Sequence, residues 1–246
     1  MKKNINECSA SEKAAFILDL FHRTTMHNAM WFAEAIHQYG REKAYEIMMV
    51  AYKQSYGIQL KRLANFFGGD VDESKIPNDL TNMPDDKKAG LMEALSINWL
   101  ANDGVWFQAI ENSRGMSEAK RCNDSAWANF SPFEAISIKH FLGLSELPGL
   151  DGLKAALQFR LYAFINKQSF ANETPESFEF YMNDCRVQSA RKRKGLQDYP
   201  CKSGGLIEYS SFAETIDPRI RTECISCPPD AHPEEYYCGW RFKIGH

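Results

Sequence analysis

The chain has 246 residues, 44% hydrophobic and 13% aromatic, enough to bury a full-sized core as one large domain or as two that share an interface. A net charge of −3 provides no global field for nucleic acid or an anionic membrane, so any basic patch is local and a dedicated DNA-binding role is disfavoured.

At the amino terminus, "MKKNINECSASEK" turns polar after two lysines, and the first apolar stretch is interrupted by Asp19, His22 and Arg23. Signal peptides and spanning helices need longer uncharged runs, which predicts a cytosolic protein with no membrane partner. In that compartment thiols stay reduced. Seven cysteines therefore suit free thiols, metal ligation or redox chemistry better than a disulfide framework, and no role is expected for Cys8.

The first half carries an internal match. "WFAEAIHQYG" from Trp31 and "WFQAIENSRG" from Trp106 lie 75 positions apart, and the same offset relates Gly40 to Gly115, Ala44 to Ala119, Ala51 to Ala126, Phe66 to Phe141 and Gly68 to Gly143. Apolar residues recur at helical spacing in both stretches, and each is followed by a glycine suited to a helix carboxyl cap. The pattern predicts two repeated helical hairpins, 31–68 and 106–143, stacked as a bundle over 1–147. The linker between them is expected in "GDVDESKIPNDLTNMPDDKKAG", around Pro77 and Pro84. In "NFSPFEAISIKHFLG", Ser131 and Pro132 predict a helix restart.

His27 and Asn28 align with Asn102 and Asp103, one turn before the paired tryptophans, and such polar pairs could line a pocket; the bland alternative is local capping or a solvent-facing position. The stripe of Trp31, Phe32, Trp106 and Phe107 reads as core before ligand cage. "KRCNDSAW" adds Asn123 and Asp124 as polar candidates, with Cys122 as a small buried hydrophobe.

After "LPGLDGLKAALQF" the period changes. "RLYAFINKQSF" and "SFEFYMNDC" read as antiparallel strands around the turn "ANETPE", "RVQSARKRKGL" and "GGLIEYSSFAETI" as helices, and "RIRTECISC" and "YYCGWRFKI" as a second strand pair. The fold class is α+β: a helical bundle, then a small antiparallel sheet with flanking helices in a cysteine-bearing domain over 148–246.

Chemistry concentrates near the carboxyl end. If Cys227 pairs with residue 235, Cys224 faces Cys238, close enough to share a metal or oxidise together. A Cys-x2-Cys pair is half of a thiolate metal site, and Cys201, Cys238, Cys185 and His232 are the further candidate ligands. Zinc is the expected metal, with free or redox-active thiols and an iron–sulfur cluster as alternatives. Asp184, Cys185 and Arg186 fall where a strand hands over to a helix, a place where a thiol pKa is lowered, so Cys185 is the preferred nucleophile. The cations Arg191 to Lys194 read as a solvated helix end, with Arg191 as a candidate contact to an anionic substrate. No Gly-rich phosphate loop is present, so no nucleotide cofactor and no nucleic-acid partner are expected.

These motifs carry a resemblance. "NWLANDGVWFQA", "AKRCNDSAW", "FSPFEA", "MNDCRVQSARKRKGL", "DYPCKS", "IDPRIRTECISCPPDAHPEE" and "YCGWRF" together resemble a family of bacterial cytosolic proteins of unknown function, found largely in anaerobes, over nearly the whole chain. The closing cysteine-bearing strand with its aromatic-Arg-Phe ending is similar, within the last third, to the aminothiazoline-carboxylate hydrolases, whose members open a sulfur-containing ring. The second resemblance implies a hydrolase. Combined with the residue reading, it yields a small-molecule-binding protein acting on a C–N or C–S bond. Asp103, Asp124 or Asp184 would serve as acid or base beside a metal or thiolate site. The alternative is a non-catalytic metal- or ligand-binding sensor or carrier, its pocket walled by aromatics such as Trp31, Trp106 and Trp240.

Overall fold

A computed structural model describes residue 8, residues 10–66 and residues 78–245; Gly68 and Pro77 lie outside the described residues. The chain divides into two compact units, Met1–Pro84 and Asp85–His246. Among the described residues, no helix is long and apolar enough to cross a membrane.

In the first unit, α1 (Ala10–Tyr39) and α2 (Arg41–Phe66) are joined at Gly40, and a single helical turn, α3 (Asn78–Thr81), follows. Gly40 has φ 78°, the left-handed region where a Cβ is disfavoured. Its N–H closes α1 on Ile36 O (3.0 Å) while its carbonyl opens α2 by accepting from Ala44 N (3.0 Å). One glycine therefore reverses the chain between two helices. Ala44 is fully buried in the resulting pair, and Phe32 meets Tyr45 edge-on at 5.5 Å.

The second unit begins inside the stretch expected as linker, with α4 (Asp85–Arg114), then α5 (Met116–Phe141). Gly115, φ 89°, makes the same reversal through Glu111 O (2.8 Å) and Ala119 N (3.1 Å). α5 runs unbroken through Pro132, contrary to the expected restart. A proline removes one intrahelical hydrogen bond, but Trp127, Ser131, Glu134, Ala135 and Ile138 are buried on both sides of it, and that packing holds the helix together.

Next come α6 (Gly149–Leu157), a 3-10 turn (Leu161–Phe164), β1 (Lys167–Ala171), β2 (Ser177–Asp184), α7 (Arg186–Arg193), α8 (Lys202–Ile216), β3 (Ile220–Ser226) and β4 (Cys238–Ile244). The stretch expected as the first strand is strand only in its second half, because Leu161–Phe164 coil beneath α4 to place Tyr162 against Trp99 (4.9 Å). The sheet is antiparallel, in the order β1-β2-β4-β3. Its two faces follow the two-residue period of strands. Phe178, Phe180, Met182, Trp240 and Phe242 turn inward onto Tyr209, Phe212 and Ile216 of α8. The outward positions carry charge: Arg241 bridges Glu179 (2.7 Å) and Glu223 (3.5 Å), and Lys243 pairs with Glu223 (2.7 Å).

The register corrects one expectation. Cys224 faces Trp240, and an irregularity between Cys224 and Ser226 shifts the pairing so that Ser226 faces Gly239. An extra residue in one strand reverses which side chains point inward beyond it, so the next step of the register sets Cys227, not Cys224, against Cys238.

Candidate functional site

α8 is packed between the sheet on one side and α5 on the other, and its interior face carries the unusual chemistry. Glu208, one residue before the core aromatic Tyr209, is buried beside Arg160, which is 2% exposed. Arg160 lies within hydrogen-bonding reach of two helices: Nε donates to Glu134 Oε2 of α5 at 2.8 Å, and Nη1 lies 2.7 Å from Glu208 Oε1 without being aligned on it as a hydrogen bond. The other Glu134 oxygen accepts from Leu161 N at 2.9 Å, fixing the start of the 3-10 turn. The guanidinium is also flanked by the rings of Phe212 (4.7 Å), Tyr209 (5.4 Å) and Tyr162 (5.7 Å). Such rings attract a cation through their negative faces.

The protonation states follow from burial against charge. Burial opposes the charge on Arg160, but Glu134 and Glu208 hold it protonated, above its ordinary range. For Glu208 burial wins over Arg160 and carries the carboxyl up to about 7. Burial likewise raises Asp103, and it raises Tyr162 and Tyr209, both of which are raised further by Glu208. Glu208 is thus moved from the ordinary carboxylate range toward neutrality, the direction that suits a group that both gives and accepts a proton.

Thiols approach this centre from three chain segments. Cys185 immediately precedes α7 and Cys201 immediately precedes α8, neither side chain capping its helix, while Cys238 opens β4. Cys185 and Cys238 interact electrostatically, Cys201 interacts with both, and Glu208 acts on all three. Cys227 raises the Cys238 thiol well above its ordinary range, and burial raises it further. The expected lowering of the Cys185 pKa is overturned: burial pushes this thiol up to about 12, outweighing the backbone N–H groups of Gln188 and Val187 that lower it. A helix start stabilises a thiolate only when the sulfur keeps solvent or a cation to share its charge. Cys201 is raised as well, again chiefly by burial.

Other candidates join the same α5–α8 seam. Asp124 accepts from Lys120 Nζ (3.1 Å) and from Asn123 Nδ2 (3.3 Å). A Cβ on Gly204 would stand 3.0 Å from Asp124 Oδ1, so the missing side chain lets α8 come close to α5 here. Asp103 acts electrostatically on Glu208, Tyr162 and Tyr199. An open depression of about 560 Å³ at the start of α8 is lined by Met116, Ser117, Lys120, Pro200, Lys202, Ser203, Leu206 and Pro229.

The remaining candidates lie elsewhere. His27 is exposed in the first unit, edge-on to Trp31 at 6.3 Å. Asn102 is exposed and donates to Asn98 O (2.9 Å). Trp31 and Trp106 are 66% and 59% exposed, not core; neighbours in a helix point about 100° apart, and the inward place is taken by Phe32 and by Phe107, which meets Tyr199 at 5.4 Å. Cys122 is exposed instead of buried. Asp184 accepts from Ser189 Oγ (2.6 Å), Arg186 is exposed, and Arg191 Nε is spent on Gln197 O (2.6 Å). Both ring nitrogens of His232 are engaged, by Asp198 Oδ2 (2.9 Å) and Pro233 O (2.8 Å). Among the described residues, no three His, Cys, Asp or Glu side chains are grouped so as to hold a metal ion. That statement includes Cys201, Cys224, Cys227, Cys238 and His232.

The profile of a family of unknown function, DUF6125, matches residues 81–244. The chain belongs to DUF6125. The match begins and ends within a few residues of the second compact unit, so the DUF6125 segment contains the Glu208 centre, the depression and every cysteine from Cys122 onward. No curated protein and no solved structure matches the chain. Reading of the DUF6125 sequence alone missed Arg160, Glu134, Glu208 and Gln188. Glu134 and Glu208 have a signal in hindsight, each sitting amid buried positions of an otherwise apolar helix face. Gln188 has none. It is buried and staples the 199–201 loop through Tyr199 O (2.9 Å), Tyr199 N (2.8 Å) and Cys201 Sγ (3.2 Å).

Proposed function

We propose that this protein is a small-molecule hydrolase acting on a C–N or C–S bond, with Glu208 as its proton-transfer group. One observation carries the reading: Lys202, Ser203 and Leu206 of α8 line the open depression, and Glu208, two residues beyond Leu206 on the same helix, lies against Arg160. A ligand held in the depression would have the ammonium groups of Lys120 and Lys202 at its rim, each oriented by a carboxylate, Asp124 at 3.1 Å and Asp230 at 2.7 Å. That rim suits a small carboxylate. The bond type is taken from the resemblance to aminothiazoline-carboxylate hydrolases read in the closing strand's sequence alone.

The thiols are protonated at neutral pH by reason of burial, so the attacking group in this reading is water. Its oxygen adds to the carbon of the scissile bond, Glu208 takes the water proton, and the same carboxyl returns it to the departing nitrogen or sulfur. Cys185 and Cys201 then act as walls of the centre. The repeated hairpins belong to the same reading, supported by the equal lengths of α1 and α4 (30 residues) and of α2 and α5 (26 residues) about glycines of similar φ; only the second copy would serve the site.

The test is turnover of a panel of thiazoline-, amidine- and thioester-bearing carboxylates by the full chain. Wild type is expected to hydrolyse at least one, and Glu208→Gln to lower kcat by about 10²- to 10⁴-fold, the range of a positioned acid–base group, with an unchanged circular dichroism spectrum. Thermal stabilisation by these carboxylates without any turnover would replace the enzyme by the carrier reading. Neither effect would end both.

A further inference from the structure

A different observation, independent of the hydrolase reading, concerns the end of the β3–β4 hairpin. Cys227 is buried directly after β3, and Cys238 is the half-buried first residue of β4. The last paired residues, Ser226 and Gly239, set these two cysteines opposite one another at the following step. Opposed residues of an antiparallel pair have Cβ atoms about 5 Å apart, close to the separation a disulfide bridges. The packing around them is fixed by rigid groups: a Cβ on Gly205 in the first turn of α8 would lie 3.7 Å from Cys227 Sγ and 2.8 Å from Trp240 Cζ2.

We propose that Cys227 and Cys238 form a reversible dithiol–disulfide couple, oxidised by small-molecule disulfides. Cys238 is the entry point, being the less buried residue of the two. Cys227 and burial raise the Cys238 thiol well above its ordinary range, so exchange runs at alkaline pH, where the ionised Cys238 sulfur attacks one sulfur of the external disulfide, forming a mixed disulfide and releasing one thiol. Cys227 sulfur then attacks Cys238 sulfur, the bond to the external group breaks, and a second thiol leaves. The balance is two protein thiols and one disulfide giving one intramolecular disulfide and two small thiols, with the two protons carried off by the products. Trp240, two residues further along β4, stacks on Tyr209 at 4.7 Å, and Tyr209 is the neighbour of Glu208 in α8.

The other thiols make the prediction specific. Cys224 is the rival partner on the same strand, but it faces Trp240. Cys122 is exposed on α5 and serves as a built-in reporter that the oxidant has acted. Reduced, desalted full-length protein is treated with oxidised glutathione at alkaline pH, denatured in the presence of iodoacetamide, digested with trypsin and Glu-C, and mapped by mass spectrometry. The expected result is a Cys227–Cys238 link with the loss of two hydrogen masses, formed equally by Cys224→Ser and reversed by dithiothreitol, while Cys122 carries glutathione. In Cys238→Ser, Cys227 should stay alkylatable with the far-ultraviolet spectrum of wild type. The inference is overturned if wild-type Cys227 and Cys238 are both still alkylated once Cys122 is glutathionylated, or if Cys238 is found linked to Cys224, Cys185 or Cys201. The mapping on wild type decides the matter even where a variant fails to fold.

Discussion

Arg160 and Glu208 show how one buried charge sets the state of its neighbours. A guanidinium this deep requires compensation, and it has two carboxylates and three aromatic rings; of the carboxylates, Glu208 is the one pushed to about 7. The pH consequence has a definite sign. The folded state holds the Glu208 proton up to about pH 7, whereas an unfolded chain releases it near 4.5. Between those values the native state binds more protons, so this group's contribution to stability falls as pH rises from 4.5 to 7 and is lost above. Urea unfolding across that window should show the decline in wild type and a flatter profile in Glu208→Gln. An identical slope in both would remove Glu208 as its source. Little of this was legible beforehand: Asp103 and Asp124 could be picked out as carboxylates inside helical segments, but Glu208 looked like any glutamate in a helix until Arg160 arrived beside it from a distant segment.

At the scale of elements, the strands and α8 were readable because their patterns are local. Alternation marks β2 through Phe178, Phe180 and Met182 and β4 through Trp240 and Phe242, and the run from Gly204 to Ile216 carries the helical period. The failures come from contacts that cross elements. Pro132 does not break α5, and Leu161–Phe164 coil instead of extending, in each case because buried neighbours outweigh the local preference. The pairing of the last hairpin was displaced by its irregularity beyond Cys224, which no spacing rule exposes. α8 approaches the sheet closely enough that a methyl group at Gly205 would meet the Trp240 ring at 2.8 Å. A rigid indole in a filled core cannot yield cheaply, so Gly205→Ala should cost about 1–3 kcal/mol, the range for overpacking. Chemical denaturation measures it, and an unchanged midpoint would show that helix and strand can move apart.

For the molecule as a whole, the decisive feature is where the chain divides. α4 and α5 group with the sheet because α5 lies against α8, burying Ala135 and Ile138 in the same core as Phe180, Phe212 and Trp240. The DUF6125 match covers residues 81–244 and so spans nearly all of this second unit. A fragment of residues 85–246 is therefore expected to fold alone, with cooperative thermal unfolding and the turnover or ligand response of the full chain. A fragment that aggregates or unfolds without cooperativity would show that residues 1–84 are needed to complete its core.

What the sequence by itself determined are features with a short physical range: the α+β order of elements, the reversing glycines Gly40 and Gly115, the hairpin turns, and the gathering of cysteines toward the carboxyl end. Only the tertiary structure decided which groups share an interior. Arg160 is brought between Glu134 and Glu208, Cys227 is placed opposite Cys238 where Cys224 was expected, and burial turns a predicted reactive thiol at Cys185 into a protonated one. Periodicity and turn chemistry act between near neighbours along the chain, whereas desolvation and charge pairing depend on residues that meet only after folding has excluded water from between them.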